Sequence, residues 1–160
     1  MARDAAETAE GWRFLGPLRY DLAGFYHILL NKNNHAKLSV STTDAEPQVV
    51  AEFEDYAMMF AQNTRCSGRG FTFTPLAKLD DGMFDVCAVR KAGIFGMIGL
   101  FDKVKTGGGH VEEKECCYLQ AKKLRLEAKD ETDLVGIDGE VNVKTPITVE
   151  VCKGVFQTFV

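Results

Sequence analysis

The chain has 160 residues, 19 Lys and Arg against 23 Asp and Glu, a formal net charge of −4 and 46% hydrophobic residues. That is one domain's worth of chain, able to bury roughly 70% of its unfolded surface, and its 11 Phe, 4 Tyr and 1 Trp exclude a disordered polypeptide. The acidic balance argues against nucleic-acid binding, which needs clustered Lys and Arg, and no apolar run reaches the roughly 18–20 residues of a membrane span.

Residues 1–10 are polar and acidic with no apolar run behind them, so no signal peptide is expected. Segment 17–31 predicts an amphipathic helix: Pro17 suits the first helical position, and Leu18, Leu22, Phe25, Tyr26 and Leu29 share one stripe. Asn31-Lys32-Asn33-Asn34 supplies its stop. The pattern then changes to short strands, at Lys37–Ser41, where Leu38 and Val40 share a face, at Gln48–Phe53 and at Tyr56–Gln62. Further strands are expected at Phe71–Thr74, Met83–Val89, Lys122–Ala128, Ile147–Val151 and Val155–Val160, with Lys153-Gly154 as a hairpin turn between the last two. A second helix is expected over about 92–104, where Ile94, Met97, Ile98 and Phe101 fall on one side. Many short strands with frequent turns and two helices describe a mainly β protein, a β-sandwich of antiparallel strands in a single domain, 1–160.

The five cysteines, Cys66, Cys87, Cys116, Cys117 and Cys152, are odd in number and contain no Cys-x-x-Cys. That spacing fits neither a disulfide framework nor a zinc site, and reads as small buried hydrophobes in a reducing, cytoplasmic setting. His27, His35 and His110 show no ligand spacing. Gly107-Gly108-Gly109-His110 lacks the Lys-Ser/Thr of a phosphate loop, and like Gly68-Arg69-Gly70 it reads as a turn.

Ile137-Asp138-Gly139-Glu140 sets two carboxylates around a glycine. Such a pair suits a divalent ion or a metal–phosphate unit, and equally suits a plain Asp-Gly hairpin turn. Asp80-Asp81-Gly82 carries the same ambiguity. Arg13 and Arg19 bracket Gly16-Pro17 where the first helix begins. Two guanidiniums beside a helix N-terminus fit phosphate oxygens by charge and fork geometry, and fit a solvated surface as well.

Taken together these segments have a counterpart. Arg13-Phe14-Leu15-Gly16-Pro17-Leu18-Arg19-Tyr20 resembles the Arg-x-x-Gly-x-x-Arg-aromatic opening of the second domain of sphingosine kinases and the related diacylglycerol and ceramide kinases. Asn63, Pro75-Leu76-Ala77, Asp80-Asp81-Gly82, Val89-Arg90, Gly109-His110, Leu124-Arg125-Leu126-Glu127 and Ile137-Asp138-Gly139-Glu140 follow in that family's order and near its spacing, from about residue 10 to the C-terminus. Gly-His and Arg-Leu-Glu make the likeness nearer to sphingosine kinases than to bacterial diacylglycerol kinases.

The resemblance implies the lipid-binding β-sandwich half of an enzyme that moves the γ-phosphoryl of ATP, with Mg2+, onto a lipid hydroxyl. The Gly-Gly-Asp-Gly nucleotide loop of the family's first domain does not occur in these 160 residues, so an N-terminal nucleotide-binding domain is an implied partner and the chain alone is expected to be inactive. Carried over by position, Arg13 and Arg19 contact ATP phosphates, Asp138 and Glu140 serve the catalytic Mg-ATP side, and Met97, Ile98, Phe101 and His110 line the lipid pocket. Peripheral membrane contact is implied, and no nucleic acid. Where sphingosine kinases carry an Asp upstream of the first motif arginine, this sequence has Ala6, with Asp4 the nearest Asp. The lipid therefore stays open among a sphingoid base, diacylglycerol, ceramide and another lipid alcohol. A non-catalytic lipid-binding module is the alternative, and an unrelated β-sandwich interaction domain a third reading.

Overall fold

A computed structural model of the chain describes residues 2–30, 34–67, 70–130, 134–138 and 140–155. Six strands form one antiparallel sheet: β1 (Asn34–Ser41), β2 (Gln48–Gln62), β3 (Phe84–Arg90), β4 (Cys116–Ala121), β5 (Lys123–Ala128) and β8 (Ile147–Glu150), in the order β4-β3-β2-β1-β5-β8. Between β5 and β8, β6 (Leu134–Ile137) and β7 (Glu140–Lys144) make a separate two-stranded hairpin. Three α-helices accompany them: α1 (Ala2–Gly11), α2 (Leu18–Leu30) and α3 (Ile94–Lys105). The mainly β, antiparallel architecture is the expected one, with one helix more than the expected two.

Each face of β3 explains the core. Cys87 and Val89 point toward the helices and cluster with Ile28 of α2, Ala57 of β2, and Met97 and Leu100 of α3. Phe84 and Val86 point the other way, onto Leu38, Ala121 and Leu124. A strand buried on both faces reads as a near-continuous apolar run, as Phe84–Val89 does. Each fully buried aliphatic side chain there is worth about 1.5–3 kcal/mol. Leu124 and Leu126 of β5 face inward across Val40 and Leu38, while Arg125 and Glu127 pair with each other on the outer side at 3.1 Å.

Several expected boundaries move, each for a physical reason. The strands expected at 48–53 and 56–62 are one strand, because β2 pairs with β1 up to Tyr56 and with β3 from Tyr56 onward. Phe71–Thr74 is not a strand. Its aromatic rings stack instead, Phe73 on Phe60 at 3.8 Å and Phe71 near Phe101 at 5.6 Å between centroids. Helix α1 has no apolar stripe but is rich in Ala and Glu, strong helix formers. It is anchored by fully buried Ala9, by a 2.8 Å hydrogen bond between Thr8 Oγ1 and His27 Nε2, and by the Trp12–Tyr26 edge contact. Lys153-Gly154 is a turn, Gly154 having a φ of 77°; residues 156–160 of the strand expected after it, and 31–33 of the expected 31–34 stop, lie outside the described residues, and Asn34 already opens β1. Cys152 is exposed, as is Cys66, so only Cys87 is the fully buried thiol the sequence suggested.

Candidate functional site

The two motif arginines converge. Arg13 sits in a short 3-10 turn, Arg13–Leu15, closed by Gly16 at a φ of 59°, a left-handed value that glycine adopts freely. Its Nε donates to Glu10 Oε2 at 2.7 Å. Arg19, in the first turn of α2, donates to the Tyr20 hydroxyl at 2.9 Å, lies over the Tyr20 ring at 4.7 Å, and comes within 3.8 Å of Glu10 Oε1. Two guanidiniums thus share one carboxylate, and the buried Nε of Arg19 has no hydrogen-bond partner. Together they form a cationic cradle that already holds one anionic group.

Asp138 occupies the turn of the β6–β7 hairpin at a φ of 50°, the left-handed region that Asp and Asn tolerate better than other side-chain-bearing residues. Its carboxylate is exposed. Glu140 opens β7, with its side chain, like Gly139, outside the described residues. Helix α1 packs against β6, so the hairpin bearing Asp138 and the helix ending beside Arg13 belong to one neighbourhood.

The four residues expected on the lipid side separate into two groups. Ile98 and Phe101 are half-buried on α3, packed against the helix-side core. Met97 is buried within that core, and His110, in the 3-10 turn Gly109–Glu112, is 0% exposed. Neither Met97 nor His110 faces an open surface. Phe101 lies against Gly24 of α2, its ring 2.8 Å from where a Cβ on that glycine would stand. Lys105 of α3 pairs with Asp21 of α2 at 2.8 Å, and Lys103 with Glu113. At the start of α3, Phe95 is 91% exposed.

Two sequence motifs meet at the far end of β3 and β4. Asp85, fully buried, accepts the Tyr118 hydroxyl proton at 2.7 Å, and Tyr118 in turn accepts the Leu76 N–H at 3.3 Å. Gln120 reaches both Asp81 and Asp85 at 3.4 Å. Asp81 caps the Met83 N–H at 2.9 Å, and Gly82 takes a φ of 81° beside Lys153. Burial, then the bond to Asp85, pushes the Tyr118 phenol well above its usual range. Pro75-Leu76-Ala77 and Asp80-Asp81-Gly82 are therefore tied to β3 and β4 by one polar network. Tyr118, Gln120 and Asp85 had no motif to mark them.

A second grouping has no sequence-spacing signal at all. Cys87, His110 and Cys116, separated by 23 and 29 residues in the chain, place one donor atom each within 4.8 Å of the others. The bond to Cys116 and burial push the Cys87 thiol up, the same bond lowers Cys116, and burial lowers His110.

The family model described as YegS C-terminal NAD kinase beta sandwich-like domain matches residues 2–160. A diacylglycerol kinase of Staphylococcus haemolyticus (strain JCSC1435) is 29% identical over 146 residues, covering 86% of this chain and 41% of the relative. One from Staphylococcus epidermidis (strain ATCC 35984) is 26% identical over 133 residues, 82% of this chain and 39% of the relative. Among solved structures, one from Bacillus anthracis str. Sterne is similar with a TM-score of 0.66 at 22% identity, covering 92% of this chain and 45% of that one. A diacylglycerol kinase structure from the same organism has a TM-score of 0.59 at 19% identity, covering 81% and 43%. These structural likenesses concern the fold. The chain spans about two fifths of the length of the curated relatives it matches. Among the described residues no helix is long and apolar enough to cross a membrane.

Proposed function

The chain belongs to the family of YegS C-terminal NAD kinase beta sandwich-like domains, the C-terminal part of diacylglycerol kinase-like lipid kinases, and from that premise we propose that it is the lipid-side domain of a two-domain enzyme that phosphorylates diacylglycerol from ATP. The observation that carries this reading is coverage: the family match takes in residues 2–160, while the curated relatives are more than twice as long. That leaves room in such a protein for an N-terminal domain holding the nucleotide, as the missing Gly-Gly-Asp-Gly loop requires.

In the transfer, the bond from the γ-phosphorus to its bridging oxygen breaks, a bond to the lipid hydroxyl oxygen forms, and the hydroxyl proton passes to a base on the partner domain. Little covalent chemistry remains for this domain beyond positioning and charge neutralisation. Arg13 and Arg19 neutralise phosphate oxygens, displacing Glu10; the unpartnered Nε of Arg19 is a donor suited to such an anion. Asp138, with Glu140, serves the metal-nucleotide side. One exposed carboxylate fits Mg2+, which takes one or two carboxylates together with phosphates and waters, and when bound supplies charge neutralisation across the β- and γ-phosphates. Ile98 and Phe101 line the acyl side, with Met97 and His110 behind them. Exposed Phe95 and Phe14 suit peripheral contact with the cytoplasmic face of a membrane.

The test is sedimentation of the 160-residue chain with phosphatidylcholine vesicles, plain or doped with diacylglycerol, ceramide or sphingosine. A bound fraction that rises with diacylglycerol is expected. Equal sedimentation with plain and doped vesicles contradicts the lipid role, and a rise with sphingosine alone moves the substrate to a sphingoid base.

A further inference from the structure

We infer that Cys87, His110 and Cys116 form a zinc site that clasps the β3–β4 pair to the Gly109–Glu112 turn beneath α3. This stands independently of the kinase reading. Cys87 Sγ lies 3.4 Å from Cys116 Sγ and 3.5 Å from His110 Nε2. A tetrahedral ion with Zn–S of about 2.3 Å and Zn–N of about 2.0–2.1 Å holds such ligands roughly 3.5–3.8 Å apart. Two of the three donor pairs are therefore already near ligand spacing without an ion between them, and all three donors lie within 4.8 Å of one another.

The second observation is the setting of the histidine. His110 is fully buried, its Nε2 reaches the Phe73 carbonyl at 3.1 Å, and its Nδ1 has no partner. The nitrogen that faces Cys87 is Nε2, so Nε2 is the ligand atom, the ring proton of the neutral imidazole sits on Nδ1, and the Phe73 carbonyl contact gives way to the metal.

Donor chemistry selects the ion. Two thiols and an imidazole suit zinc and disfavour magnesium and calcium, which take oxygen ligands. Binding releases one proton from each thiol to solvent, so Zn2+ with two thiolates is neutral overall, which a buried site requires. Cys116 is only half-buried and marks the entry side. Three protein ligands leave a fourth position open. Cys117 pairs with Ala88 and so belongs to the opposite face of the sheet, where it packs with Ala36, Tyr56 and Ala88. It serves as an internal control.

The test uses the 160-residue chain, reduced and stripped with chelator, with folding confirmed by circular dichroism. Titrated Co2+ should give thiolate-to-cobalt absorption that saturates at one equivalent and is bleached by Zn2+. Free zinc at about a hundredfold over its Kd should raise Tm by about 5–10 °C. Cys116→Ser should weaken binding by at least about tenfold to a hundredfold, and Cys117→Ser should leave it unchanged. Absence of the thiolate–cobalt band in the reduced, folded wild-type chain overturns the site whatever the variants do. Unaltered binding in Cys116→Ser, or lost binding in folded Cys117→Ser, does so as well.

Discussion

Gly24 and Phe101 hold α2 and α3 together, and substituting both in a double-mutant cycle measures that contact. A Cβ on Gly24 would stand 2.8 Å from Phe101 Cε2 and 3.0 Å from Cζ, against the roughly 3.5–4.0 Å of relaxed carbon contacts. A flat aromatic ring already packed on the core has little freedom to withdraw. Gly24→Ala gains about 1 kcal/mol of helix propensity and costs about 1–3 kcal/mol in overpacking, for a net loss of about 0–2 kcal/mol. Phe101→Ala alone removes a half-buried ring and should cost about 2–3 kcal/mol, below the 3–5 kcal/mol typical of a full Phe truncation. In the Phe101→Ala background the overlap is gone, so Gly24→Ala should stabilise by about 1 kcal/mol, giving a coupling of about 1–3 kcal/mol. Urea unfolding of the four proteins reads it directly, with each kcal/mol also moving Tm by about 2–4 °C. Additivity within about 0.5 kcal/mol would refute the helix contact. Phe101 would then be free to line a lipid channel without bracing α2.

The polar network at the far end of β3 gives a second expectation. Tyr118→Phe leaves buried Asp85 without its 2.7 Å donor and should cost about 2–3 kcal/mol in chemical denaturation; an effect under about 0.5 kcal/mol would mean that the Asp80-Asp81-Gly82 loop is held by other contacts. Because the folded phenol pKa lies above its unfolded value near 10, the folded state keeps a proton there that the unfolded chain loses. Stability should therefore fall as pH rises past about 10, less steeply in Tyr118→Phe; identical alkaline slopes would argue against a raised phenol. At Asp138, both Asn and Gly accept the left-handed turn, so Asp138→Asn and Asp138→Gly should unfold within about 0.5 kcal/mol of wild type while cutting turnover by about tenfold or more in a complete enzyme. Full turnover in both would reduce Asp138 to a turn residue. Arg13→Ala, at an exposed ion pair, should also leave stability within about 0.5 kcal/mol and cut turnover about tenfold; unchanged turnover would take Arg13 out of the phosphate cradle.

What the sequence discloses and what it hides follow from the range of the interactions. Helices α2 and α3 and strands β1, β3, β5 and β8 are written in local apolar period, and each lies within a few residues of its expected place. Helix α1 is specified by propensity and by docking onto α2, and apolar period cannot report either. Strand β4 follows a charged run, Glu112 to Glu115, and its half-buried edge position blurs its alternation. The same holds for the sites. Arg13 and Arg19 are legible as a pair because six residues span one helix start, and Asp138 because Asp-Gly marks a turn. The anion that joins the two arginines, Glu10, sits on the unforeseen helix. Cys87, His110 and Cys116 meet only because β3 and β4 pair and the chain returns through the Gly109–Glu112 turn, a long-range consequence that no spacing of cysteines and histidines encodes.

The central claim, that this domain completes a lipid kinase, is tested by fusing residues 1–160 in place of the matching C-terminal region of the Staphylococcus haemolyticus diacylglycerol kinase. Transfer of labelled γ-phosphoryl from ATP to diacylglycerol is then measured in mixed micelles, for the fusion, for the chain alone and for the intact relative. The account predicts labelled lipid from the fusion and from the relative, and none from the chain alone, which lacks the nucleotide loop. Labelled lipid from the isolated 160 residues, or a folded fusion that binds ATP and diacylglycerol yet transfers nothing, would contradict it.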